Sequence, residues 1–69
     1  MDTVHIRYDD TVGVEGWFFE HEDQEGTHPH DYALLAGTGQ PDDVVERCAR
    51  RWASYIGLDL VEVALEWHR

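Results

Sequence analysis

The stretch PDDVVERCARRWASYIG, Pro41 to Gly57, decides the fold class. Proline suits the first position of a helix, where its missing N–H costs nothing and its φ is already helical. Asp42 and Asp43 follow at the positive end of the helix dipole, and Arg47, Arg50 and Arg51 come later, where cations are better tolerated. Val44, Val45, Cys48, Ala49, Trp52, Tyr55 and Ile56 recur at spacings of three and four, which makes one apolar stripe. Gly57 suits a left-handed cap. The spacing predicts a helix from about Pro41 to Ile56, with one side that needs a layer to pack against.

That layer is a sheet. Upstream, Val4, Ile6 and Tyr8 alternate with His5 and Arg7, the period of a half-buried strand. VGVEGWFFE, Val12 to Glu20, is rich in β-branched and aromatic residues and predicts a second strand, antiparallel to the first. Gly13 and Gly16 inside it predict a bulge or a close backbone approach. DYALLAG, Asp31 to Gly37, predicts a short third strand centred on Leu34. Downstream, LVEVALEWH sets Val61, Val63, Leu65 and Trp67 against Glu62, Ala64, Glu66 and His68.

The order β-β-β-α-β implies a single α+β domain, residues 1–69, with a small antiparallel or mixed sheet of about four strands and one helix packed on one face. With Val14 and Phe18 facing the helix, Trp17 and Phe19 would form an exposed aromatic patch, a mark of an interaction surface. A homodimer through that face or an edge strand is the economical expectation, since a 69-residue chain is near the size limit for an independent core.

Fifteen acids stand against five arginines and no lysine, a formal net charge of −10. Such a surface repels nucleic acid and acidic membranes and favours a basic protein partner. Two explanations fit it: adaptation to a salt-rich cytoplasm, or an acid coat that imitates nucleic acid or neutralises a basic protein. The lone Cys48 falls on the apolar stripe and forms no internal disulfide. No apolar run approaches the roughly 20 residues of a membrane span, and the N-terminus lacks a signal-peptide pattern, so a cytoplasmic protein is expected. No nucleophile or phosphate-loop motif is present. GTGQPDD would place Asp42 and Asp43 against any anion at the helix start, so neither an enzyme nor a cofactor is expected.

HEDQEGTHPHD, His21 to Asp31, is the candidate site. His28 and His30 are two apart and project alike on a strand, and His21 can come from the facing arm of a hairpin with Gly26 at its tip. Those imidazoles with Asp31 or Glu22 would suit zinc. The same histidines would titrate near neutrality. The plain alternative is a solvated loop rich in turn formers. Arg47, Arg50 and Arg51 form the one basic patch, which fits either an acidic partner or RNA, or pairing within the chain to Glu46.

Strand, acidic turn, glycine-containing strand, third strand and then TGQPDDVVERCARRWASYI resembles, over residues 4–56, the partial ribonuclease-H-type fold of HicB-like antitoxin domains. The resemblance implies a non-catalytic protein that binds and silences a small basic ribonuclease toxin. The leading expectation is therefore a non-enzymatic protein-binding or regulatory module. Trp17 and Phe19 would anchor a basic partner, and Glu15, Glu20, Glu22, Asp23 and Glu25 would steer it. The alternatives are a nucleic-acid mimic that inhibits a DNA- or RNA-binding protein, and a metal-binding protein using His21, His28 and His30.

Overall fold

The computed structural model describes residues 2–11, 16–28, 31–34 and 39–68. Strands β1 (Thr3–Asp9), β2 (Gly16–Asp23), β3 (Gly26–Thr27) and β4 (Asp31–Leu34) precede helix α1 (Asp42–Tyr55), and strand β5 (Ala64–His68) follows it. This is the expected β-β-β-α-β order with one addition: β4 is the expected third strand, and the two-residue β3 lies in the stretch expected to be the connection before it. β1 lies between β2, antiparallel to it, and β5, parallel to it. β3 and β4 both pair antiparallel with the other edge of β2, so five strands fill four positions of a mixed sheet. Helix α1 thus carries the chain from one edge position to the opposite one.

The core forms where the apolar rows of β1 and β2 meet the helix. Val4 and Ile6 on β1, Trp17 and Phe19 on β2, and Val45, Ala49 and Ala53 on α1 are all buried together. Ile6 lies opposite Phe19 and Tyr8 opposite Trp17 in the antiparallel register, so these side chains share a face. Trp17 packs edge-on against Tyr8 and Trp67, with ring centroids 5.0 and 5.9 Å apart, and Phe19 lies 5.8 Å from the Trp52 ring. Full burial of a side chain such as Phe19 contributes roughly 1.5–3 kcal/mol. The helix centre is built of small residues, which lets Trp52 and Cys48 flank it from the side.

This corrects the assignment of faces. Trp17 and Phe19 are not an exposed patch; they are core, turned toward the helix. The alternation itself holds, but β2 runs on to Asp23, and Glu20 and Glu22 share the row of Phe18. Had Phe18 faced the helix, two carboxylates would have been driven into the core, at a cost of several kcal/mol each. Val12, Gly13 and Val14, from which the opposite orientation was inferred, lie outside the described residues, as does Gly37.

The helix also differs in detail. Pro41 stands one position ahead of the first turn, its carbonyl accepting from Val44 and Val45 N–H at 3.1 and 3.2 Å. At the other end Gly57 has φ +92°, the left-handed cap expected. Gly57 N–H bonds the Ser54 carbonyl and Leu58 N–H the Ala53 carbonyl, a Schellman closure with Leu58 folded back on the core. Tyr55 is 86% exposed, off the buried stripe, and Ala53 takes the inward place. Val61 is 92% exposed and not part of a strand. Asp59 explains this, because its carboxylate accepts from Val61 N–H and its carbonyl from Glu62 and Val63 N–H, winding 59–63 into a turn before β5 begins. Among the described helices none is long and apolar enough to cross a membrane.

Candidate functional site

Beyond Phe19 the helix-side row of β2 continues as His21 and Asp23, two polar residues at the end of an apolar row. The chain then turns through Gln24 and Glu25 and returns at Gly26, whose φ of +124° favours glycine. The Asp23 carboxylate accepts from Glu25 N–H at 2.8 Å and fixes the turn. Asp23 pairs with Gly26 and Glu22 with Thr27, and His28 N–H donates to the His21 carbonyl at 2.8 Å. His28 therefore returns directly beside His21, with ring centroids 5.2 Å apart.

The carboxylates complete the cluster. His28 Nε2 donates to Asp23 Oδ2 at 2.9 Å, and His21 Nε2 donates to Asp2 Oδ1 at 3.2 Å from the residue preceding β1. Ligand atoms of His21, Asp23 and His28 all lie within 4.8 Å of one another. The hydrogen bond from His28, with that from Glu25 N–H, holds the Asp23 carboxyl below its ordinary range. The same bond raises the His28 imidazole above its usual value, reinforced by the Asp23 charge. A concavity of about 410 Å³, lined by Asp2, Asp23, Gln24, Glu25 and Glu62, opens beside the two imidazole–carboxylate pairs and shares Asp2 and Asp23 with them.

Two of the three expected metal ligands, His21 and His28, are thus brought together across the hairpin, and His30 lies outside the described residues. The carboxylate among them is Asp23, rather than Glu22. Glu22 projects to the other sheet face, as strand alternation requires, where His5 Nε2 donates to it at 2.6 Å. The side chain of Asp31, the other acid considered, is outside the described residues. The missed contributor is Asp2, for which the sequence held no local signal.

The acids expected to steer a partner are spread over three environments. Glu20 is paired with Arg7, Glu22 with His5 and Asp23 with His28, whereas Glu25 is exposed at the hairpin tip. Glu15 lies outside the described residues. In the basic patch, Arg50 sits 3.9 Å from Glu46 one turn away, and exposed Arg47 and Arg51 form no ion pair among the described residues.

The donor set of two imidazoles and one carboxylate, His21, His28 and Asp23, suits a borderline divalent ion such as Zn²⁺ with a position left for water, and the acidic concavity beside it lowers the potential for any approaching cation. No protein-family model matches the chain, and no curated protein and no solved structure is significantly similar to it, so its chemistry is read from its own geometry.

Proposed function

We propose that this chain is a non-enzymatic cation-binding module that holds a divalent transition metal such as Zn²⁺ at the base of the β2–β3 hairpin. The observation that carries the reading is the convergence of His21, Asp23 and His28 within 4.8 Å, from residues on both arms of one hairpin. Asp2 stands beside the cluster as the hydrogen-bond partner of His21. The hairpin register fixes the spacing before any ion arrives, so little ordering opposes binding. Each Nε2 gives up its hydrogen bond to carboxylate when it ligates, and the ring proton moves to Nδ1 or leaves to solvent.

Zinc titration followed through the imidazole resonances tests this. One equivalent moves His21 and His28 together, and Asp23→Asn or His28→Gln weakens binding at least tenfold. Unmoved His21 and His28 resonances at stoichiometric zinc would refute the reading.

A second reading draws on the concavity of Asp2, Asp23, Gln24, Glu25 and Glu62, which has the size and charge to receive an arginine or lysine side chain of a basic protein. The HicB-like resemblance of residues 4–56 implies a partner of that kind. Its signature is binding to a basic ribonuclease that weakens as salt rises and as Glu25 and Glu62 are neutralised together. Binding indifferent to both changes would count against it.

A further inference from the structure

The geometry points to a second metal site on the opposite face of the sheet, with His5, His68 and Glu66 as ligands for a zinc-like ion and Glu22 as the group that orients His5. It shares no residue with the hairpin cluster, and stands or falls independently of it.

The site follows from the register of three strands. His5 lies opposite Glu20 in the antiparallel β1–β2 pair and beside Glu66 in the parallel β1–β5 pair, and Arg7 lies beside His68. His5, Arg7, Glu20, Glu22, Glu66 and His68 therefore share the sheet face turned away from α1. On that face His5 Nδ1 is 2.7 Å from His68 Nε2 and 3.9 Å from Glu66 Oε2, and His68 Nε2 is 3.8 Å from Glu66 Oε1. Three potential ligands converge on one spot, joined over 63 residues of sequence.

The orientation of His5 supplies an independent argument. Its other nitrogen, Nε2, is 2.6 Å from Glu22 Oε1. An ionised carboxylate only accepts, so Nε2 carries the hydrogen, and in the neutral ring Nδ1 is left as a lone pair aimed at His68 and Glu66. A carboxylate fixing the tautomer of a histidine whose second nitrogen faces a ligand cluster is the arrangement that supports metal-bound imidazoles. The His5 side chain is only 9% exposed, whereas that of Glu66 is 58% exposed. A buried imidazole thus stands at the back, with an exposed carboxylate on the solvent side.

The spacing needs one adjustment. Tetrahedral zinc with bonds of about 2.0–2.1 Å separates two ligand nitrogens by about 3.3 Å. The observed 2.7 Å is the distance of a hydrogen bond from His68 to His5, so a rotation of the less buried His68 ring admits the ion. The His68 ring then transfers its hydrogen from Nε2 to Nδ1 through solvent and remains neutral. Arg7, the cation on this face, is paired with Glu20, which offsets its charge near the site.

The test is a zinc titration of the full chain in the His28→Gln background, read by calorimetry and by the His5 and His68 imidazole resonances. One equivalent is expected to move both resonances. His68→Gln should weaken that binding at least tenfold, and Glu22→Gln, at a half-exposed position, should weaken it about 10- to 100-fold with the folded spectrum retained. Unmoved His5 and His68 resonances at stoichiometric zinc would overturn the site and leave the contacts as hydrogen bonds that satisfy a buried histidine. Unchanged affinity in both variants would overturn it equally. Failure of the hairpin site shows separately, in His21 and His28 of the parent chain.

Discussion

Two histidine pairs occupy the two faces of one sheet, and they are held in opposite ways. His21 and His28 meet across a tight hairpin seven residues apart in sequence, and the His28 side chain is 44% exposed. His5 and His68 meet across a parallel strand pair 63 residues apart, and His5 is the one buried polar residue among the described positions. In the first pair each imidazole has its own carboxylate, Asp2 or Asp23. In the second the imidazoles bond each other, and the carboxylate Glu22 lies behind. The same residue types thus make a solvent-screened charge pair at one place and an oriented, partly dry network at the other.

The contrast is broken most forcefully by truncation. His5→Ala removes a packed ring and two hydrogen bonds from the sheet interior and should cost about 2–4 kcal/mol in urea denaturation. His28→Ala should leave the denaturation midpoint nearly unchanged. Equal effects would mean that burial does not distinguish the pairs.

The next effect is in pH. Because the folded value of His28 is raised, its contribution to stability is complete below its ordinary 6.5 and is lost as pH rises through the raised value. Because that of Asp23 is lowered, its contribution is complete above its ordinary 3.8 and is lost as pH falls through the lowered value. The pair therefore stabilises fully only between those two ordinary values. An NMR titration should place the His28 midpoint above 6.5, and Asp23→Asn should return it toward that value; a midpoint unmoved by the substitution would show that Asp23 is not the cause.

The smallest effect is in salt. Raising ionic strength from about 0.05 to about 0.5 M should shrink the upward displacement of His28, since exposed charges are screened within a few ångströms at high salt. The hydrogen-bonded ring position of His5, read from its nuclear Overhauser contacts to Glu22 and His68, should not move. A displaced His5 ring would mean that its network is as open as the hairpin pair.

What could be read in the sequence follows the range of the interaction. The helix was legible because Pro41, the spacing of Val45 and Ala49, and Gly57 all act within a few residues. The meeting of His21 and His28 was only allowed by the sequence, through a hairpin with Gly26 at its tip, and the pairing of Asp23 with Gly26 and Glu22 with Thr27 decides it. The direction of Trp17 and Phe19 was misread although the clue was present: Glu20 and Glu22 share the parity of Phe18 and exclude that row from the helix side. The His5–His68 meeting was not legible, because it depends on β5 crossing the whole sheet to lie beside β1, and no local pattern encodes that register. The exposure of Val61 had a local cause in Asp59, hidden by an alternation that continues through the turn.

The position of β1 has a kinetic consequence. It pairs with β2, which begins seven residues after β1 ends, but with β5 only after some 60 residues have been brought back, and the entropy of that closure opposes the second pairing more than the first. β5 is also an edge strand of five residues, held on one side. Because His68 of β5 covers His5, a local departure of this edge strand would open His5 to water while β1 stays paired with β2.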